Sequence, residues 1–135
     1  MDPLLGAPSS PAGARSFRVV WERAADLAAA VFEQGARPGE GGDLPTRDSM
    51  RASSLAVATC VARAAALPPA GRRAELIRAL AALSEVESHL LLAARIVGRP
   101  LEGGEALRGR IEVVRRLILA LGGGAPRPSG EPRSA

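Results

Sequence analysis

The chain has no lysine and no tyrosine, and aromatic residues make up only 2% of it. Its three aromatic side chains, Phe17, Trp21 and Phe32, all lie near the start. A core must therefore be built from Leu, Val, Ile and Ala, a composition that favours closely packed helices over β-sheets. All 18 basic residues are arginine, and 14 acidic residues reduce the net charge to +4. That charge is modest for a protein that holds nucleic acid by itself.

Cysteine occurs once, at Cys60, which excludes an intramolecular disulfide framework and fits a reducing cytoplasm. The opening stretch MDPLLGAPSSPAGARS lacks the basic start and the apolar run of a secretory signal. No stretch reaches the roughly 18 to 20 uninterrupted apolar residues of a membrane span. We therefore expect a soluble, cytoplasmic protein that makes no membrane contact.

A length of 135 residues suits one domain with one core. Stretches rich in Pro, Gly and Ser predict disordered tails over residues 1–15 and 122–135, which leaves a domain over 16–121. Apolar residues recur there at helical spacing. The predicted helices cover 17–34, 46–67, 69–97 and 102–121, with Thr46 as the N-cap of the second. Their short connections predict an all-α, antiparallel up-down four-helix bundle.

The third segment contains LSEVESHLLLAA, in which Glu85, Glu87 and the single histidine, His89, interrupt an apolar run. On a helical wheel the predicted core face of this helix consists of Leu76, Leu80, Leu83, Leu90, Leu91, Ala94 and Val97. Glu87 falls in the middle of that face, whereas Glu85 and His89 fall on the opposite side beside Arg78. Carboxylates that point in opposite directions cannot converge on one substrate or metal ion. We therefore interpret Glu85 and His89 as an exposed pair, one helical turn apart.

A carboxylate on the core face needs a partner, because burying it alone costs several kcal/mol. For Glu87 we expect Arg51 of the second helix first and the indole N–H of Trp21 second, in a structural role. Leu92 and Ile96 fall on the polar side of the third helix. Apolar residues at such positions predict a second buried face, and hence self-association.

Other candidates for chemistry are weak. Cys60 and His89 could form a nucleophile and base, but a cysteine in an Ala-rich helix is usually a small core residue. The glycine-rich stretches lack the strand and the Lys-Ser/Thr context of a phosphate-binding loop. We expect no enzymatic activity, no cofactor and no metal ion.

Arginine is the remaining signal. In one protomer the alternation of acidic and basic residues is typical of a solvated face, but a ring of identical subunits would multiply any basic stripe into a nucleic-acid surface. The candidate binding residues for nucleic acid or a partner are Arg47, Arg51, Arg63, Arg72, Arg73, Arg115 and Arg116.

Two segments carry a family resemblance. RVVWERAADLAAAVF resembles the opening helix of bacterial four-helix-bundle proteins encoded in intervening sequences of large-subunit ribosomal RNA genes. These proteins are related more distantly to the accessory variability determinant of diversity-generating retroelements. The matching positions of the first helix are Val20, Trp21, Arg23, Ala24, Leu27 and Ala28. The third helix resembles the family's Leu-Ala-Glu-Leu-Glu-Thr-Gln-Leu pattern at Leu83, Glu85, Val86, Glu87 and Leu90.

The second helix departs from the family pattern, since Cys60, Arg63 and Ala64 replace its Asn, Glu and Gly, while Arg51 is kept. The resemblance covers roughly residues 17–121. It implies a non-enzymatic bundle assembled as a homopentameric barrel, and in the retroelement branch a basic surface that binds a reverse transcriptase and its RNA. The leading hypothesis is thus a self-assembling accessory protein that binds RNA, DNA or a nucleic-acid enzyme. The alternative is a protein-interaction scaffold without nucleic-acid binding.

Overall fold

A computed structural model describes residues 11–35 and 45–122, and within them it shows four α-helices and no β-strand. The helices are α1 (Pro11–Gly35), α2 (Arg47–Ala66), α3 (Pro69–Val97) and α4 (Gly104–Leu121). The prediction of an all-α four-helix bundle is confirmed, and the bounds of α3 are those expected from the sequence. The predicted tail segments 1–10 and 123–135, and most of the connection between α1 and α2, lie outside the described residues.

One apolar core joins the four helices. Its largest fully buried side chains include Leu27 of α1, Met50 of α2, Leu83 of α3 and Ile111 of α4. Each such side chain contributes about 1.5 to 3 kcal/mol when it leaves water. Because Ala fills many of the remaining buried positions, the helix axes can approach each other closely.

Helices that follow each other in sequence run antiparallel. The start of α2 lies beside the end of α3, where Thr46 Oγ1 donates a hydrogen bond to the backbone oxygen of His89 over 2.9 Å. Further along, Ser53 Oγ donates to Glu85 Oε1 over 3.0 Å. Only residues 67–68 connect α2 to α3, so α3 must turn back along α2.

Contacts between α1 and α4 close the bundle. At one end, the buried Gln34 of α1 donates from Nε2 to the backbone oxygen of Glu102, just before α4, over 2.6 Å. At the other end, Arg15 of α1 and Leu121 of α4 line the same groove. The start of α1 therefore lies beside the end of α4.

Two helix starts differ from the sequence prediction. Helix α1 begins at Pro11 rather than at residue 17, so residues 11–15, expected to be disordered, are helical; proline favours the first turn because its φ angle is already helical. Thr46 stands at the N-cap of α2, but its side chain does not cap the helix. Its φ of 66° turns the hydroxyl towards α3 instead.

Candidate interaction surfaces

The buried face of α3 is rotated relative to the predicted one. Its buried apolar residues are Leu76, Ala79, Ala82, Leu83, Val86, Leu90 and Ala93. Helix α3 contacts α2 more extensively than α4, so the buried stripe is turned towards α2. Leu91, predicted to be in the core, is 47% exposed, and Glu87 lies at the edge of the core facing α4.

Glu87 forms an ion-pair cluster with α4. Arg115 Nη2 donates to Glu87 Oε1 over 2.8 Å, and Arg108 Nη2 lies 3.8 Å from Glu87 Oε2. Arg115 also binds Glu112, one turn earlier on α4. The side chains of Glu87 and Arg115 are each 24% exposed, so water screens the pair only in part. The cluster fixes how α3 lies against α4.

The predicted partners of Glu87 were wrong. Arg51 lies on the other side of the bundle, where its guanidinium stacks over the Phe32 ring at 4.8 Å from the ring centroid. Its Nη2 also donates to the backbone oxygen of Phe32 over 3.1 Å. Trp21 is half-buried against the core and makes no bond to Glu87. Arg51 therefore ties α2 to the end of α1 rather than to α3.

The expected surface pair of Glu85 and His89 does not form either. Glu85 is exposed, as expected, but it accepts a hydrogen bond from Ser53 of α2, and Arg78 binds Glu75 rather than Glu85. His89 is half-buried, and its Nδ1 is buried without a hydrogen-bond partner among the described residues. Both side chains lie at the seam with α2, because the buried face of α3 is turned that way.

Cys60 is buried beside Glu75 of α3. Burial raises the pKa of the Cys60 thiol above its ordinary value, and the neighbouring Glu75 carboxylate raises this pKa further. Thr46, at the start of α2, binds the backbone of His89 and so marks where His89 lies along α2. Cys60 follows Thr46 by fourteen positions, which is roughly 20 Å along the axis of α2. Cys60 and His89 are thus far apart, and the thiol is not paired with an imidazole base.

The seven candidate arginines separate into two groups. Arg47, Arg51, Arg72 and Arg115 are half-buried and bound within the fold, Arg72 by donating from Nε to the Leu67 oxygen over 2.9 Å and by stacking on Phe17. Arg63, Arg73 and Arg116 are exposed. Only this second group is fully available to a partner.

Each of the four helices carries at least one exposed arginine towards the same end of the bundle. This end contains the starts of α1 and α3 and the ends of α2 and α4; for example, Arg73 and Gly122 line one pocket there. Residues 11–18, 49–66 and 113–121 contain no acidic residue, and Glu75 of α3 is bound by Arg78. We call this surface the basic end; its exposed arginines are Arg15, Arg18, Arg63, Arg73 and Arg116.

The opposite end of the bundle has mixed charge. It contains the end of α1, the start of α2 and the connection from α3 to α4. Acidic and basic residues alternate there: Glu33, Asp48, Glu102 and Glu105 with Arg47, Arg95, Arg99 and Arg108. Although the net charge of the chain is small, its charged side chains are distributed unevenly between the two ends of the bundle. This distribution results from the antiparallel packing of the helices.

The outward face of α3 carries three exposed aliphatic side chains and one exposed arginine, Arg95. Ile77, Leu92 and Ile96 are 53%, 48% and 63% exposed. The exposed residues between Ile77 and Leu92 on this face are small, namely Ala81, Ser84 and Ser88. We call this surface the outer face of α3. Leu92 and Ile96 are therefore placed as the sequence predicted, on a surface that no other part of the described chain covers.

Within residues 11–35 and 45–122, no three His, Cys, Asp or Glu side chains are grouped as metal ligands. No helix described by the structure is long and apolar enough to cross a membrane. Comparison with protein-family models, with curated proteins and with solved structures gave no match.

Proposed function

We propose that the chain is a non-catalytic, self-assembling accessory protein of the reducing cytoplasm that binds nucleic acid, or a nucleic-acid enzyme such as a reverse transcriptase, through arginine. The basic end carries this proposal. Five exposed arginines of the described helices lie at one end of the bundle, and residues 11–18, 49–66 and 113–121 of these helices contain no acidic residue. Such a surface attracts a polyanion, because each guanidinium that meets a phosphate releases a condensed counterion.

Binding of a labelled nucleic acid tests the proposal. The double variant Arg73→Gln/Arg116→Gln removes two charges from the basic end. Its matched control, Arg99→Gln/Arg110→Gln, removes two charges from exposed positions in the other half of the bundle. We expect the first variant to bind about tenfold more weakly at low salt and the control to bind nearly as the parent does. Equal weakening in both would mean that net charge, not the basic end, governs binding.

Self-assembly is supported by the outer face of α3, since apolar side chains as exposed as Ile77, Leu92 and Ile96 are typical of a contact surface. A pentamer is the assembly that the family resemblance implies. A closed ring would bring several basic ends together, which would strengthen a polyanion site that is small in one protomer.

The alternative is a protein-interaction scaffold without nucleic-acid binding, and the same outer face of α3 favours it. In that case the apolar face serves another protein, and the arginines serve only solubility. Failure to bind any nucleic acid at low salt, together with intact self-association, would favour the scaffold.

A further inference from the structure

We infer that the basic end binds the phosphate backbone of a double-stranded nucleic acid and does not read bases. This inference rests on the proposed function and specifies its ligand. The argument depends on the arginines that the basic end presents and on the aromatic and amide side chains that it lacks.

No aromatic ring is fully exposed at the basic end. Phe17 is only 4% exposed and lies beneath the guanidinium of Arg72, 5.2 Å from the ring centroid. Trp21 is half-buried against the core, and Phe32 lies at the other end of α1 under Arg51. Proteins that hold single strands rely on bases stacking on aromatic rings, each worth about 1 to 3 kcal/mol. The basic end offers no such platform.

Side chains that read base edges are also missing. The chain contains no asparagine, and its one glutamine, Gln34, is buried and bound to the backbone of Glu102 at the mixed-charge end. Asn and Gln recognise adenine, whereas Arg recognises guanine only where it can enter the major groove. The exposed arginines of the basic end are near helix termini on four different helices. Only α1 carries two of them, Arg15 and Arg18, and each of the other helices carries a single one, so no helix presents a row of three or more to a groove.

The basic end is therefore left with electrostatic contacts to phosphates, and these contacts favour a duplex over a single strand. A duplex carries one phosphate per about 1.7 Å of axis, against about 3.4 Å for each strand, and each contact releases more counterion from a duplex than from a single strand. Neighbouring helix axes in a bundle are about 8 to 10 Å apart. Arginines carried by neighbouring helices are thus spaced on the same scale as the phosphates that face each other across a minor groove about 6 Å wide.

Fluorescence anisotropy with the full chain tests the inference. The probes are an AT-rich duplex, a GC-rich duplex, a double-stranded RNA and a single strand, all with the same number of phosphates, at roughly 50 and 200 mM salt. We expect the two DNA duplexes to bind equally, and the single strand to bind about tenfold more weakly than either at the lower salt. Arg63→Gln/Arg116→Gln should weaken binding to all duplexes by the same factor, and should lower the slope of log K against log salt by about 2.

The outcomes separate the inference from the proposed function. Binding of the single strand as tightly as the duplexes, or a preference of about tenfold between the AT-rich and GC-rich duplexes, overturns the inference and leaves the proposed function standing. Binding to no probe at the lower salt overturns both. A preference for duplex RNA over duplex DNA supports the inference and identifies RNA as the nucleic acid whose phosphates are bound.

Discussion

Arg115 of α4 donates from Nη2 to Oε1 of Glu87 on α3 over 2.8 Å, and this ion pair joins the two helices at the edge of the core. Both side chains are three-quarters shielded from water, and Arg108 lies on the other carboxylate oxygen of Glu87. Arg115, which the sequence suggested as a binding residue, therefore has a structural role in holding α3 against α4.

Replacing Glu87 by Gln should lower the free energy of unfolding by about 1 to 2 kcal/mol, because Arg115 would lose a charged acceptor in a partly shielded position. Denaturant unfolding followed by circular dichroism measures the change. Glu105→Gln, an exposed position on α4, is the control and should change stability by less than about 0.5 kcal/mol. A double-mutant cycle with Arg115→Gln should give a coupling energy near 1 kcal/mol. No coupling would mean that the two residues act separately.

Self-association should depend on the outer face of α3. Leu92→Glu/Ile96→Glu would place charges on the proposed interface, where each unpaired carboxylate is costly to bury. Sedimentation velocity at micromolar concentration should show an oligomer for the parent chain and a monomer for this variant. Val113→Glu, at a 41% exposed position on α4, should leave the oligomer intact. A monomeric parent chain would contradict the assembly.

Stability should decrease at alkaline pH because of Cys60. Because burial raises the pKa of its thiol in the folded state above the ordinary value of a cysteine, folding favours the protonated form. The protonated thiol contributes fully to the free energy of unfolding below the pKa of the unfolded chain, about 8.5. This contribution is lost as the pH rises through the higher pKa of the folded state. With no lysine and no tyrosine, few other groups titrate in this range. Unfolding free energies between about pH 7 and 10.5 should fall for the parent chain and stay nearly level for Cys60→Ala.

Two glycine replacements should have opposite effects. Gly98 ends α3 with a φ of 89°, and its N–H and that of Arg99 both bind the Ala94 oxygen. Gly98→Ala should cost about 1 kcal/mol, because a Cβ disfavours this backbone conformation. Gly109 lies within α4 with open space around it, so Gly109→Ala should stabilise by about 0.5 to 1 kcal/mol. Thermal melts compare the two, and a loss of stability in both would indicate crowding instead.

The sequence predicted the helices well because helical periodicity and helix-breaking residues are local signals. The bounds of α3 follow from the prolines before it and from Gly98 after it. The start of α1 was missed, since a short segment of Pro, Ala, Gly and Arg has no apolar periodicity that distinguishes it from a tail. The exposure of Leu92 and Ile96 was predicted from their wheel positions, which are also local.

Side-chain partners were not predictable in the same way. A wheel gives angles within one helix, but it does not say how that helix is rotated against its neighbours. The close contact of α3 with α2 turned the buried face by a fraction of a turn. Because of that rotation, Glu87 pairs with Arg115, Glu85 accepts a hydrogen bond from Ser53, and Leu91 is exposed.

The sequence by itself determined an all-helical chain with an aliphatic core and arginine as its only basic side chain, because composition and periodicity act locally. Only the tertiary structure decided which arginines are bound within the fold and which meet at the basic end. Arg15, Arg63 and Arg116 are far apart in sequence, and antiparallel packing places the helix termini that carry them at the same end.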